Sequence, residues 1–186
     1  MGIHKSKLNK VAMNKLVEET NFTKQEIRHW HDGFLQDCPT GKLTKYEFAK
    51  IYQSFFPKGD PTAFAAFVFN VFDENKDGSI EFSEFITALS LTSRGHFEEK
   101  LEWAFRLYDI DNNGTISRDE MLQIVSAIFR MVGNFSQEET PEQKVDRIFS
   151  KMDTDGNCEL SKEEFFEGAR MDKSIVQALS LYNGLV

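Results

Sequence analysis

Apolar residues recur along the chain at the spacing of a helix face, and short polar stretches separate the apolar segments. The spacing of three and four residues that places side chains on one helix face occurs on both sides of residues 73–84. The apolar positions there are Phe64, Phe67, Val68, Val71 and Phe72 before the polar stretch, and Phe82, Phe85, Ile86 and Leu89 after it. Helical patterns also flank residues 109–120 and 153–164. The sequence therefore predicts three helix–loop–helix units.

The three polar stretches share one twelve-residue pattern of oxygen-bearing side chains, Asp-x-[Asp/Asn]-x-[Asp/Asn], which ends in Glu at position 12. Calcium is a hard cation with about six to eight oxygen ligands, and the EF-hand loop supplies them from positions 1, 3, 5, 7, 9 and 12. Three matches in one chain predict calcium binding. The residues at these positions are Asp73, Asn75, Asp77, Ser79, Glu81 and Glu84 in loop 2 (73–84), Asp109, Asp111, Asn113, Thr115, Ser117 and Glu120 in loop 3 (109–120), and Asp153, Asp155, Asn157, Glu159, Ser161 and Glu164 in loop 4 (153–164).

An earlier unit, loop 1 at residues 36–47, keeps the frame of such a loop but not its ligands. Gly41 stands at position 6 and Leu43 at position 8, as the pattern requires. Position 1 is Gln36 and position 3 is Cys38, and Pro39 stiffens the entry to the loop. No Cys or His partner at a suitable spacing supports a soft-metal site at Cys38. We therefore predict that loop 1 is a silent EF-hand.

A single helix–loop–helix unit cannot bury its own apolar face, so the four units are expected to pair. The residues at position 8 should then form short strand contacts between paired loops, Leu43 with Ile80 and Ile116 with Leu160. The predicted fold is all-α with two lobes, each a pair of EF-hands with short antiparallel strand contacts between loops. The expected divisions are an acylated N-terminal segment and helix at 1–20, an N-lobe at 21–92, a C-lobe at 93–172 and an amphipathic tail helix at 173–186.

The chain is acidic, with a formal net charge of −8, and this argues against some classes of partner. Nucleic-acid binding requires clusters of Lys and Arg that neutralise phosphates, so we expect no nucleic-acid partner. The two cysteines, Cys38 and Cys158, form no disulfide framework and are typical of a reducing compartment. The sequence has no apolar run of about 18 residues and no hydrophobic signal core. These features favour a cytoplasmic protein. No nucleophile–base pair or phosphate-binding loop is visible, so we expect that the protein is not an enzyme.

The N-terminal sequence MGIHKS fits the pattern for N-myristoylation at Gly2. Lys5, Lys7 and Lys10 add a small basic patch. One myristoyl chain gives only marginal, reversible membrane binding, and each Lys near anionic lipid adds roughly 1 kcal/mol. Lipid and charge together predict a peripheral membrane anchor on an otherwise acidic protein.

Several stretches together resemble the neuronal calcium sensor family, and its frequenin-like members most of all. They are DCPTGKL in loop 1, FFPKGDPTAFAAFVFNVFDENKDGSIEFSEF, EEKLEWAFRLYDIDNNG and the ending SIVQALSLYNGLV. The resemblance runs over nearly the whole chain. It implies calcium in loops 2, 3 and 4, an inactive loop 1 and myristoylation of Gly2. It also implies regulation of targets such as phosphatidylinositol 4-kinase or receptor-regulating factors, at the Golgi or plasma membrane.

The resemblance further implies an apolar groove that takes up amphipathic helices of target proteins. The matching positions are Trp30, Phe34, Phe48, Ile51, Tyr52, Phe55, Phe85 and Leu89. Physical reasoning supports the groove, since calcium opens EF-hand pairs of sensors and exposes apolar surface on which a helix can dock. Two alternatives stay open. These side chains can be ordinary core residues, and the protein can be a calcium buffer with little conformational response.

Two loop positions depart from the usual pattern. Cys158 stands at position 6 of loop 4, where Gly normally makes the sharp turn. A non-glycine residue with positive φ costs on the order of 1 kcal/mol, so we expect loop 4 to bind calcium with weakened affinity. Glu81 at position 9 of loop 2 adds a charge, and we expect Mg²⁺ to compete with Ca²⁺ there.

Overall fold

The structure, a computed structural model, describes residues 8–133 and 139–172. The helices of this part are α1 (Lys10–Glu19), α2 (Lys24–Asp37), α3 (Lys45–Phe55), α4 (Thr62–Phe72), α5 (Phe82–Arg94), α6 (Phe97–Tyr108), α7 (Arg118–Val132), α8 (Pro141–Met152) and α9 (Lys162–Met171). Its strands are β1 (Lys42–Thr44), β2 (Ser79–Glu81), β3 (Thr115–Ser117) and β4 (Glu159–Ser161). None of these helices is long and apolar enough to cross a membrane. Gly2, Lys5, Lys7 and the expected tail helix lie outside the described residues.

Side-chain caps fix where most of these helices begin. At the start of α2, Thr23 and Glu26 form a reciprocal capping box, in which the Glu26 carboxylate accepts a hydrogen bond from the Thr23 backbone N–H at 2.8 Å. Positions 9 and 12 of the loops form the same box, and in loop 3 these are Ser117 and Glu120 at the start of α7. A capping box satisfies N–H groups that the helix leaves unpaired. The Glu at position 12 therefore belongs both to the loop and to the first turn of the next helix.

Paired loops contact each other through two antiparallel strand pairs, as the sequence predicts. Strand β1 pairs with β2 and places Leu43 opposite Ile80, while β3 pairs with β4 and places Ile116 opposite Leu160. All four side chains are buried, so an apolar pair closes each lobe at its loop end. The prediction of an all-α fold with two lobes of paired EF-hand units is confirmed.

The two lobes pack on each other mainly through α4. This helix contacts α3 of its own lobe and also α6 and α7 of the C-lobe. Phe72 on α4 lies edge-on to Trp103 on α6, with ring centroids 6.3 Å apart. The loop after α3 also reaches the C-lobe, because the N–H of Asp60 donates to the carbonyl of Arg130 at 2.9 Å. A displacement of α7 would therefore directly change its contacts with α4 of the N-lobe.

Candidate calcium-binding loops

Loop 3 brings three carboxylates together. Oxygen atoms of Asp109, Asp111 and Glu120 all lie within 4.8 Å of one another. Backbone N–H groups of the loop donate to two of these carboxylates, from Gly114 to Asp109 at 3.1 Å and from Asp111 to Glu120 at 3.2 Å. Asp109 and Glu120 are buried. Since like charges at this distance repel one another, a divalent cation would stabilise the cluster.

Loop 4 holds an equivalent cluster. Oxygen atoms of Asp153, Asp155 and Glu164 also lie within 4.8 Å of one another. Asp153 accepts a hydrogen bond from the N–H of Cys158 at 3.0 Å. The backbone hydrogen bond from Ser161 is the largest cause that lowers the pKa of Glu164, to about 2. The Glu164 carboxylate is therefore ionised at neutral pH, as a calcium ligand must be.

Loop 2 arranges its carboxylates differently. Asp77 at position 5 forms an ion pair with Lys42 of loop 1, with 2.9 Å between Oδ2 and Nζ. The same Nζ lies 3.4 Å from Oε1 of Glu81 at position 9. Among the residues that the structure describes, the clusters of three carboxylates within 4.8 Å are those of loops 3 and 4. Position 3 of loop 2 is the amide Asn75, where loops 3 and 4 have Asp111 and Asp155, so loop 2 lacks one of the three carboxylates that gather in the other two loops.

Charges and burial shift the pKa values of the loop carboxylates in opposite directions. The hydrogen bond from Lys42 is the largest cause that lowers the pKa of Asp77, to about 2, and the same contact raises the pKa of Lys42. In loop 3, burial raises the pKa of Asp109, and the charges of Glu120 and Asp111 add to this effect. Hydrogen bonds from loop N–H groups offset part of it. Burial and the neighbouring charges therefore disfavour the ionised form of Asp109, and a bound dication would favour that form.

Each calcium-type loop contains two residues with a left-handed backbone, at positions 4 and 6, and one of the two is glycine. The non-glycine residues are Lys76 (φ 59°) at position 4 of loop 2, Asn112 (φ 58°) at position 4 of loop 3, and Cys158 (φ 67°) at position 6 of loop 4. The backbone strain predicted at Cys158 is thus present. Loop 4 has Gly156 at position 4, so it lacks the strain that loops 2 and 3 carry at that position.

Replacing Cys158 with Gly is expected to strengthen calcium binding in loop 4 by about fivefold, which corresponds to about 1 kcal/mol of removed backbone strain. Calcium titration of the full chain measures this change. Cys158→Ser is the matched control, because it removes the thiol and keeps the strained backbone. Equal loop 4 affinities for the glycine and serine variants would show that strain at position 6 does not limit binding.

Loop 1 keeps the turn of a calcium-binding loop, with Gly41 at φ 77°. Its position 12, Glu47, serves as a cap, because its carboxylate accepts from the N–H of Thr44 at 2.8 Å. Cys38 at position 3 is buried, and burial raises the pKa of its thiol to about 11. Metals bind the thiolate, which is scarcely populated at neutral pH. These contacts support the prediction of a silent loop.

The eight positions expected to line a groove divide into two groups in this conformation. Ile51 and Phe55 on α3 are exposed, by 37% and 46%. The other six are buried or packed against the core: Trp30, Phe34, Phe48, Tyr52, Phe85 and Leu89. Phe85 contacts the rings of Phe34 and Trp30, with centroid distances of 5.4 Å and 6.3 Å. A groove at these positions therefore requires the N-lobe to open.

The loop pattern does not identify Lys42 as a neighbour of the loop 2 ligands. A signal for it exists in the register of the strand pair. When the position 8 residues Leu43 and Ile80 face each other, position 7 of loop 1 faces position 9 of loop 2. Those positions hold Lys42 and Glu81, so opposite charges at 7 and 9 of paired loops indicate this contact.

Paired helix–loop–helix units with carboxylate clusters in their loops define the class of EF-hand calcium-binding proteins. A family model described as an EF-hand domain pair matches residues 98–170, which include loops 3 and 4. A second model, described as an EF hand, matches residues 64–90, which include loop 2. The fold, the loops and both matches agree that this is an EF-hand protein that binds Ca²⁺.

Similarity over nearly the whole chain identifies one family within the EF-hand class. The chain is 58% identical over 185 residues to neuronal calcium sensor 1 of Lymnaea stagnalis and 57% identical over 185 residues to that of Aplysia californica, with 97% of each chain covered. It is 41% identical to human recoverin, over 96% of this chain and 93% of recoverin. The protein belongs to the neuronal calcium sensor family, which confirms the resemblance seen in the sequence.

Proposed function

We propose that loops 2, 3 and 4 each bind Ca²⁺ and that binding exposes an apolar groove, through which the protein regulates membrane-associated targets. The observation that carries this proposal is that Glu120 and Glu164 each belong both to a loop and to the helix that follows it. Each belongs to a carboxylate cluster, and each is the third residue of the following helix, α7 or α9. A contact made by either carboxylate therefore acts on the helix that carries it.

The packing of α7 supports transmission of this contact into the core. Met121 and Ile124 on α7 are fully buried, and α7 packs against α4 of the other lobe. Close-packed cores respond to small shifts by discrete rearrangement rather than by smooth deformation. Bound calcium would be held by the loop oxygens, including those of Glu120. Because Glu120 is on α7 and α7 packs against α4, a movement of this carboxylate would act on the contact between the lobes.

The proposed groove recruits amphipathic helices of target proteins. Aromatic side chains of this groove contact one another. The ring of Trp30 lies between those of Phe22 and Phe85 and contacts both. Separation of α2 from α5 would uncover these rings, and Ile51 and Phe55 on α3 already expose part of their apolar surface. Such a surface suits the apolar face of a helix, which binds through residues at i, i+3, i+4 and i+7.

Membrane association is proposed from the N-terminal residues. Gly2 would carry a myristoyl group, and Lys5, Lys7 and Lys10 would contact anionic lipid. Lys10, the first residue of α1, is exposed. The proposed locations are the Golgi or plasma membrane, with targets such as phosphatidylinositol 4-kinase or receptor-regulating factors. The intact mass of the chain isolated from its own cells tests acylation, and an unmodified mass contradicts it.

Competition by Mg²⁺ is proposed for loop 2 alone. Magnesium is usually held by one or two carboxylates together with water molecules. Loop 2 offers an additional carboxylate at position 9, Glu81, where loops 3 and 4 have Ser117 and Ser161. Calcium titration of loop 2 should therefore shift to higher calcium concentrations when Mg²⁺ is present. An unshifted titration contradicts this assignment.

A calcium buffer is the second candidate, and it is favoured because six of the eight groove positions are buried or packed against the core. A buffer binds the ion but barely opens. Retention on a hydrophobic resin distinguishes the two functions. The full chain is expected to bind the resin with calcium and to elute with a chelator, whereas a Glu120→Gln, Glu164→Gln variant should respond weakly. Equal retention with and without calcium, despite measured calcium binding, would favour the buffer.

A further inference from the structure

The silent unit places a cation on the loop 2 ligands. Lys42 stands at position 7 of loop 1, in strand β1, directly across from Glu81. Its Nζ is 2.9 Å from Oδ2 of Asp77 and 3.4 Å from Oε1 of Glu81. Asp77 and Glu81 are the residues at positions 5 and 9 of loop 2. One ammonium group therefore contacts two of the carboxylates that the EF-hand pattern assigns to the metal.

The C-lobe makes a different contact at the corresponding place. There the hydroxyl of Thr115, at position 7 of loop 3, donates to Oε2 of Glu159 in the paired strand at 2.9 Å. The donor of that contact is a neutral hydroxyl, and its acceptor is at position 7 of loop 4 rather than at positions 5 and 9. An ammonium group thus contacts the ligand positions of loop 2, whereas a neutral hydroxyl makes the contact between the paired loops of the C-lobe.

We propose that Lys42 sets the divalent-cation affinity of loop 2, because the silent EF-hand supplies an ammonium that competes with the metal for Asp77 and Glu81. This inference rests on the proposed binding of calcium by loop 2. It assigns loop 1 a role in tuning its partner beyond closing the lobe. The silent loop then acts as a fixed, metal-free source of positive charge.

The competition weakens binding without preventing it. The Lys42 side chain is 49% exposed and that of Asp77 is 35% exposed. Ion pairs between such groups are worth little in water, so a dication can displace the ammonium from the carboxylates. The displaced ammonium remains on strand β1, next to loop 2, and repels the metal. The distance between the two charges is then roughly the width of one carboxylate group. Coulomb's law in a water-like dielectric makes this repulsion worth about a tenfold change in Kd.

The test uses the full chain with Glu120→Gln and Glu164→Gln, so that loop 2 is the remaining complete loop. Calcium titration of this protein is compared with the same protein carrying Lys42→Gln. The variant is expected to bind calcium about tenfold more tightly. Magnesium affinity should rise by a similar factor, because the repulsion depends on the charge of the ion. Both gains should shrink at high KCl, where charges are screened.

Lys45→Gln is the matched control. Lys45 is an exposed residue of the same silent unit, at position 10 of loop 1, and its removal changes the net charge by the same amount. It is expected to shift the calcium affinity far less than Lys42→Gln. Equal shifts for the two variants would mean that net charge alone acts, and this overturns the proposal.

An unchanged or weaker calcium affinity in Lys42→Gln also overturns the role of Lys42, even if loop 2 binds calcium. No calcium binding by loop 2 in either protein, with the helical spectrum intact, would instead contradict the proposed function. The two failures are therefore distinguishable.

Discussion

Replacing Glu120 with Gln is expected to weaken calcium binding by loop 3 at least about 100-fold while leaving the metal-free fold nearly intact. Position 12 binds calcium through both carboxylate oxygens, and an amide offers only one neutral oxygen. The cap of α7 should survive, since Gln serves in capping boxes. This chain shows as much in α8, where Gln143 forms the box with Thr140. Calcium titration measures the loss, and far-ultraviolet circular dichroism checks the fold.

The silent unit offers a closely matched control for this change. Glu47 stands at position 12 of loop 1 and forms the same capping box, with Thr44. Glu47→Gln removes the same charge from the same structural position, yet it should leave calcium binding essentially unchanged. Three unaltered sites in Glu120→Gln would refute the ligand assignment for loop 3. A comparable loss in Glu47→Gln would refute the silence of loop 1.

Replacing Phe48 with Ala is expected to lower the free energy of unfolding of the calcium-free protein by about 3–5 kcal/mol, the usual loss for a buried Phe. Phe48 is 4% exposed. Its ring packs against Tyr52, Phe69 and Phe72, at centroid distances of 5.1 Å, 5.7 Å and 5.4 Å. The truncation would leave a cavity that these rings fill only in part. Urea unfolding in the presence of a chelator measures the change.

Phe55 provides the comparison, because it belongs to the same proposed groove and the same helix but is 46% exposed. Phe55→Ala should change the free energy of unfolding by less than about 1 kcal/mol. It should nevertheless reduce calcium-dependent retention on a hydrophobic resin, since Phe55 already reaches the surface. Similar unfolding free energies for the two variants would contradict the placement of Phe48 in the closed core.

The features that the sequence predicts correctly follow from the fixed twelve-residue frame of each loop. The loop frame places Leu43 opposite Ile80 because position 8 has a fixed place in each loop, whatever surrounds it. Likewise, the pairing of Ile116 with Leu160 follows from the same frame in the C-lobe. A fixed loop frame leaves few alternatives, so the fold class and the candidate ligands are predictable from it.

The state of the groove positions is not predictable in this way. Helical spacing tells which face of α2 or α3 is apolar, but not whether another helix or solvent covers it. Phe34 and Phe55 both fit an apolar face, yet the structure buries the first and exposes the second. The contact of Phe72 with Trp103 between the lobes also leaves no repeating sequence pattern. The loop pattern alone does not show Lys42 either, because it assigns ligands within one loop, whereas this contact depends on which residues the strand register places opposite each other.

Calorimetric titration of the calcium-free full chain with Ca²⁺ tests the central claim most directly. The account predicts heat of binding that saturates at three calcium ions per chain, with affinities of about 10⁻⁷ to 10⁻⁵ M as in sensor EF-hands. It also predicts that one site remains when Glu120 and Glu164 are both replaced with Gln. A trace that shows only heat of dilution, or one that the double replacement leaves unchanged, would contradict the account.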